Sequence, residues 1–199
     1  MAGSSRPSAL TVERVVALTR ERLAARARRI VTGGSLVKAA VLVPIVARGE
    51  PHLLFAKRTE RVGTHRGQIS FPGGRVDPTD AGFLEAALRE AEEEIGLPRA
   101  LVEPLGALDD TETVATQFVI TPWVALVREP VAWRPDGHEI EKVIEVPLAA
   151  LRDRANLRVE LRERGGVRHE VLFWDYRGET IWGATARILK QYLDVLEDA

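Results

Sequence analysis

The chain has 199 residues, 45% of them hydrophobic and 29% charged, enough apolar matter for one core-bearing domain plus an appendage. Its 28 Lys and Arg against 29 Asp and Glu give a formal net charge of -1, which excludes a global basic footprint for nucleic acid. The absence of cysteine excludes disulfides, thiolate nucleophiles and Cys-based metal sites, and makes a reducing cytoplasm the expected setting. In chain order, residues 1–35 read as a polar segment followed by an amphipathic helix. Thr11 is its N-cap, and Val12, Val15, Val16, Leu18 and Leu23 fall at helical spacing among Arg14, Arg20, Arg22 and Arg26. An Arg-rich, acid-poor start also fits a transit peptide, against which Glu13 and Glu21 argue, so a helix packed on the domain is favoured. Thr32-Gly33-Gly34-Ser35 is expected to end that helix and act as a joint.

The main domain is expected to cover 36–199. Its longest apolar run, 39–47, is nine residues, far short of the about 20 a bilayer requires, so it reads as a buried strand and no membrane is expected. Runs 37–46 and 52–57 suggest a hairpin about Gly49-Glu50-Pro51, and 67–71 a short strand stopped by Pro72-Gly73-Gly74. A helix capped by Thr79 or Asp80 is expected to run to about Ile95, ended by Gly96 and Pro98. Strands are expected at 102–107, 118–127 and 142–146, then a short helix at 147–152. A hairpin of 157–162 with 169–174 turns on Gly165-Gly166, and a final helix spans about 183–196. This alternation predicts an α+β class, an α/β/α sandwich with a mixed β-sheet between helices.

The acidic helix carries the strongest chemical signal. Leu84, Ala87, Leu88, Ala91 and Ile95 share one side; Glu90 and Glu94 are one turn apart with Glu93 flanking them, while Glu85 and Glu92 point elsewhere. Like charges at this spacing repel by a few tenths of a kcal/mol, so a positive group should compensate. Mg²⁺ does so well, since it takes oxygens from one or two carboxylates plus substrate phosphates. A solvated acidic face is the plain alternative. The ridge's border with the apolar face, and the preceding Phe71-Pro72-Gly73-Gly74, whose glycines admit close backbone approach, favour the cation.

Residues Gly74 through Leu97 resemble the Nudix box, Gly-x5-Glu-x7-Arg-Glu-U-x-Glu-Glu-x-Gly-U with U apolar. Arg89-Glu90-Ala91-Glu92-Glu93-Glu94-Ile95-Gly96-Leu97 matches its second half at every specified position. In the first half Asp80 takes the place of Glu, and one extra residue precedes Arg89. Upstream, Arg58-Thr59 and Gly67-Gln-Ile-Ser-Phe-Pro-Gly-Gly74 are similar to the signature of the coenzyme A pyrophosphatase branch, although Gly63 stands where that signature has a second Arg, with Arg61 and Arg66 nearby. The segments 77–80 and 181–189 also look like that branch, and the likeness spans about 37–193.

The resemblance implies water attack at phosphorus of a diphosphate, with Mg²⁺ or Mn²⁺ as cofactor. The implied ligands are Glu90 and Glu94, with Glu93 as ligand or water-activating base and the Gly74 carbonyl as an extra ligand. Arg89 is expected to orient a carboxylate rather than touch substrate. Glu139 resembles the Glu before the branch's Val-Pro-Leu segment and is a candidate to complete the metal site or serve as base, with Glu141 and Glu145 as alternatives. The basic loop carrying Arg58, Arg61, His65, Arg66 and Gln68 is expected to meet the 3′-phosphate of coenzyme A, unless it is an ordinary solvated loop. Expected products are 3′,5′-ADP and 4′-phosphopantetheine or its acyl form. The alternatives are another diphosphate such as ADP-ribose or a dinucleotide, or a non-catalytic nucleotide-binding module. No nucleic-acid partner is expected, and a homodimer is compatible with the sequence. Trp182, Gly183 and Thr185 resemble a family hallmark and read as packing for the final helix, and Trp123 and Trp133 read as packing residues before adenine-stacking ones.

Overall fold

The computed structural model describes residues 10–32, 35–60, 67–113, 117–128 and 131–197. Its centre is an eight-stranded mixed sheet, built on β1 (Val37–Ala47) and β7 (Phe118–Val127), which pair in parallel from Val37↔Phe118 to Val46↔Val127. β1 contains the nine-residue apolar run of the sequence, and from Ala39 to Val46 it is buried on both faces as a central strand must be. β2 (Pro51–Arg58) returns antiparallel beside it through the expected turn, and β8 (Ile140–Pro147) flanks β2. β5 (Val102–Ala107) and the short β6 (Thr111–Glu112) pair with β7, and β3 (Ile69–Ser70) pairs with β2.

Period-two alternation assigns β1 to two layers. Val41, Val43 and Ile45 enter one core with Phe55, Trp174 and Tyr192, while Ala40, Leu42 and Val46 enter another with Ala87, Ala91 and Ile95. The second core seats α2 (Phe83–Ile95). The first is covered by α1 (Val12–Ala25), the short α3 (Leu148–Arg152) and α4 (Gly183–Glu197). The architecture is therefore the expected α+β class, a sheet between helical layers. α1 and α4 are joined by a buried hydrogen bond between the Thr19 and Tyr192 hydroxyls at 2.9 Å. A small antiparallel sheet, β9 (Leu157–Arg164), β10 (Val167–Tyr176) and β11 (Glu179–Trp182), runs into α4. Gly165 (φ 60°) and Gly166 (φ 77°) make the two-residue turn of its hairpin, as the paired positive φ of a primed turn requires.

Several boundaries differ from the sequence expectations. α1 ends at Ala25, not near the glycines at 32–35, of which Gly33 and Gly34 lie outside the described residues. Side-chain acceptors pull the intervening segment out of the helix: Asp109 accepts from Arg26 (2.8 Å) and from the Arg29 N–H (2.9 Å), and Asp110 from Arg28 (2.6 Å) and the Val31 N–H (2.9 Å). The chain does not stop pairing at Pro72, because β4 (Gly73–Arg75) forms against β1 in the register Ala40↔Gly74. α2 is not capped by Thr79 or Asp80; Gly82 holds the cap position without a side-chain bond, and Asp80 is engaged with Arg89. β6 and β11 are too short to carry a periodic signal. No helix among the described residues is long and apolar enough to cross a membrane.

Candidate metal and diphosphate site

Ala86, Ala87, Ala91 and Ile95 hold α2 flat on the sheet, and the residues one step around the helix are Glu90 and Glu94. Glu94 is 6% exposed. Its Oε2 accepts from the Gly73 N–H at 3.0 Å, and its Oε1 lies 3.8 Å from the Arg58 guanidinium. Burial pushes its carboxyl up to about 8; the Gly73 N–H and the Arg58 charge oppose that rise, while the charges of Glu90 and Glu139 add to it. Glu90 is half-buried, and burial raises it too, against the Arg89 guanidinium and with the charges of Glu93 and Glu139.

The glycine turn is built around these carboxylates. A Cβ on Gly74 would lie 2.5 Å from the Glu90 carboxyl carbon, so that side chain fills the space a larger residue would take. Gly73 has φ +147°, and a Cβ there would meet the Ala40 carbonyl oxygen at 2.3 Å. The two glycines thus do different work: Gly73 permits the backbone path that aims its N–H at Glu94, and Gly74 leaves room for Glu90.

Arg89 is ringed by acceptors, most of them carboxylates. Its Nε and Nη2 donate to Asp80 at 3.0 and 3.1 Å, its Nη1 to Glu90 at 2.9 Å and Glu93 at 3.1 Å, and its Nη2 to the Arg75 carbonyl at 3.1 Å. Hydrogen bonding from Arg89 holds Asp80 below the usual carboxylate range. Glu93 lies on the exposed side of this guanidinium, at 61% side-chain exposure, not beside Glu94. Glu85 and Glu92 point away and pair with Arg99.

Arg58 is brought to the acid cluster itself: its Nη2 donates to Glu139 at 2.8 Å. Its backbone N–H donates to the Gln68 carbonyl at 2.9 Å, closing the neck of the basic loop, while Arg61, His65 and Arg66 lie outside the described residues. Glu139 is positioned by neighbours that sequence reasoning missed. Asp136 accepts from the N–H groups of His138 (3.2 Å), Glu139 (3.1 Å) and Ile140 (2.8 Å), and Thr59 donates its hydroxyl to the His138 carbonyl at 2.9 Å and its N–H to that of Glu139 at 2.8 Å. The one available signal was the Asp136-Gly137 pair, a turn former. Glu145, an alternative to Glu139, is taken up by Arg48 (2.9 Å) and the Trp133 indole N–H (2.5 Å). Trp182 stacks on Phe173 with centroids 6.3 Å apart.

Among the described residues, no three acidic or imidazole side chains make a ready metal cage. The arrangement nevertheless fits a hard divalent ion that takes few protein ligands and keeps water and phosphate oxygens. Two adjacent carboxylates, both destabilised as anions by burial, sit against a turn with no intervening side chain.

The family description "NUDIX domain" matches residues 36–165. The chain belongs to the Nudix hydrolase family and is a Nudix diphosphatase, a class that generally works with divalent metal ions. It is 41% identical over 154 residues to a protein of Yersinia enterocolitica described as "Uncharacterized Nudix hydrolase NudL", covering 77% of this chain and 78% of that one. The protein of the same description from Salmonella paratyphi B is 41% identical over 155 residues, covering 77% and 80%. A MutT NUDIX hydrolase structure from Burkholderia pseudomallei is 21% identical, with a TM-score of 0.47 over 78% of this chain and 96% of that one.

Proposed function

We propose that this enzyme hydrolyses the diphosphate of coenzyme A or its thioesters, with Mg²⁺ or Mn²⁺ held at Glu90 and Glu94. The observation that carries this reading is the buried Glu94 and half-buried Glu90 against the 73–74 turn, directly after the 58–74 run similar to the coenzyme A pyrophosphatase branch. A divalent ion bound there supplies charge neutralisation for two adjacent phosphates and acidifies the attacking water. The chain's own residues fix the geometry. The Gly73 N–H orients the Glu94 carboxylate, and Arg89, itself fixed by Asp80, orients that of Glu90. The Gly74 carbonyl is the proposed extra ligand.

Glu139 is the proposed proton acceptor for the water, with Glu93 as the other candidate. Two features support Glu139: its charge acts on both Glu90 and Glu94, and its backbone is fixed by Asp136 and Thr59. Replacing Glu139 with Gln is expected to lower kcat at least about tenfold with little change in KM; unchanged turnover removes it from the mechanism.

The proposed reader of the 3′-phosphate is the loop carrying Arg58, Arg61, His65, Arg66 and Gln68. The same reading places the catalytic unit in 36–199, with 1–35 as an appended support, and the enzyme in the cytoplasm, where a cysteine-free chain is at home. The test is hydrolysis of coenzyme A and its 3′-dephospho form in Mg²⁺ or Mn²⁺, with both products identified by mass spectrometry. Expected are 3′,5′-ADP and 4′-phosphopantetheine, and a higher kcat/KM for the 3′-phosphorylated substrate. Cleavage of ADP-ribose or a dinucleotide in preference to coenzyme A overturns the substrate assignment and leaves the metal site standing.

A further inference from the structure

The three-stranded sheet is hydrogen-bonded in the order β11-β10-β9, so β9 is an edge strand. No backbone hydrogen bond on its outer side is found among the described residues. A bare edge is a template for another strand, and soluble proteins ordinarily blunt such edges. β9 carries charge on one face, at Arg158, Glu160 and Arg162, but on the other presents large apolar side chains: Val159 is 49% exposed and Leu161 70% exposed. These two lie on the face that, at the base of the strand, carries Leu157 and the cross-strand neighbours Leu172 and Trp174, all packed into or against the main core. The core surface therefore continues out along the edge strand, with none of the described residues covering it.

The sequence of β9 says what fits there. Leu157-Arg158-Val159-Glu160-Leu161 is self-complementary when laid antiparallel on itself about Val159. Val159 then opposes Val159 of the second strand, Leu157 opposes Leu161 in both directions, and Arg158 opposes Glu160 in both directions. All apolar residues fall on one face; on the other, Arg158 and Glu160, which pair with each other within the strand, exchange partners across the seam. Shifting the centre to Glu160 instead sets Arg158 against Arg162, a like-charge pair that costs stability. Centring on Leu161 pairs Glu160 with Arg162 but sets Val159 against Glu163 and Arg158 against Arg164, so the patterning favours the register about Val159.

We propose that β9 is a homodimer interface, in which the β9 strands of two copies pair antiparallel about Val159 and join the two three-stranded sheets into one of six. The surface is self-complementary, as a two-fold interface must be. A five-residue ladder is smaller than the roughly 1,200 Å² at which stable interfaces begin, so the dimer belongs to the weak, micromolar class. The interface lies on the small sheet, apart from Glu90 and Glu94, and its test does not depend on the substrate.

Sedimentation velocity of the full chain from about 1 to 200 µM measures it, the range being set by micromolar affinity. A concentration-dependent monomer–dimer equilibrium is expected. Val159→Lys, which opposes two lysines at the two-fold axis, is expected to raise the dimer dissociation constant at least tenfold. Val167→Lys is the control: Val167 is 67% exposed but lies on β10, outside the ladder, and this change is expected to leave the dimer intact. Because the chain has no cysteine, single-cysteine variants also report register. Val159→Cys puts two thiols opposite each other, about 5 Å apart by backbone, whereas two thiols from Leu161→Cys are about 13 Å apart. A short bismaleimide is expected to cross-link the first much faster. A monomer throughout the range, a dimer indifferent to Val159→Lys, or equal cross-linking of the two variants overturns the proposal. Circular dichroism of each variant confirms that the fold is retained.

Discussion

Replacing Glu94 with Gln is expected to raise the melting temperature of the metal-free protein at pH 9 while reducing diphosphate hydrolysis by about 10³-fold or more. The stability half follows from linkage. Burial raises the folded-state carboxyl to about 8 from the ordinary 4.5. Below pH 4.5 folded and unfolded chains both hold the proton and nothing is lost. Between about 4.5 and 8 the unfolded chain ionises while the folded one keeps its proton, so stability falls as pH rises. Above 8 the folded protein carries the full cost of a buried anion, on the order of a few kcal/mol. Gln keeps the shape and the acceptor oxygen for the Gly73 N–H without the charge. The stabilisation should amount to roughly 5–10 °C at pH 9 for a chain of this size and vanish near pH 4. A site kept costly in the empty protein and useful only when filled is the stability–activity trade expected of a functional group. Melting curves of both proteins at pH 4, 7 and 9, without metal, check it; equal curves at pH 9 would mean that Glu94 is not destabilising.

Gly74→Ala separates folding from chemistry in the opposite way. Gly74 does not have a left-handed φ, so its backbone admits alanine, but the added Cβ would sit 2.5 Å from the Glu90 carboxyl carbon. The flexible side chain has to swing aside. We expect stability within about 1 kcal/mol of the parent and a fall in kcat/KM of about 100-fold, the usual consequence of misplacing a reacting group by an ångström. Gly73→Ala should instead destabilise the fold, since its Cβ would strike the Ala40 carbonyl oxygen at 2.3 Å and its φ is +147°. Melting temperature and steady-state kinetics on the two variants should move independently. Full activity in Gly74→Ala would show that the Glu90 carboxylate is not fixed for function.

The features legible in the sequence are those with long-range periodicity or strong local chemistry. β1 is legible because the buried stretch of a central strand, here 39–46, is apolar at every position, and the β9–β10 hairpin because Gly165-Gly166 admits few other turns. The 90–94 pair was readable because a helix puts residues four apart on one ridge. The partners of those residues were not. Asp80 looks like an N-cap from its place before a helix, yet the Arg89 guanidinium takes both its oxygens; a charged donor outcompetes a helix N–H, and only the fold shows that it is in reach. Glu93 lies on the Arg89 side because the helix turns it about 100° back from Glu94, toward solvent. Asp136, which ties down the backbone at Glu139, makes an Asx-type turn whose importance depends on what the next strand carries. Arg58 reads as a basic loop residue and sits between Glu94 and Glu139 because β2 and β8 are neighbours, a pairing that links residues some 80 positions apart in the chain.

Above all, we propose that Glu90 and Glu94 together bind a divalent ion. Calorimetric titration of Mn²⁺ into the metal-free protein between pH 6 and 8.5, repeated in two buffers of different ionisation enthalpy, tests it directly. Saturable binding that tightens as pH rises toward 8 is expected, with net proton release in the lower half of that range as Glu94 gives up its proton, and loss of both in Glu94→Gln. Binding that is independent of pH, or equally tight in Glu94→Gln, would contradict it.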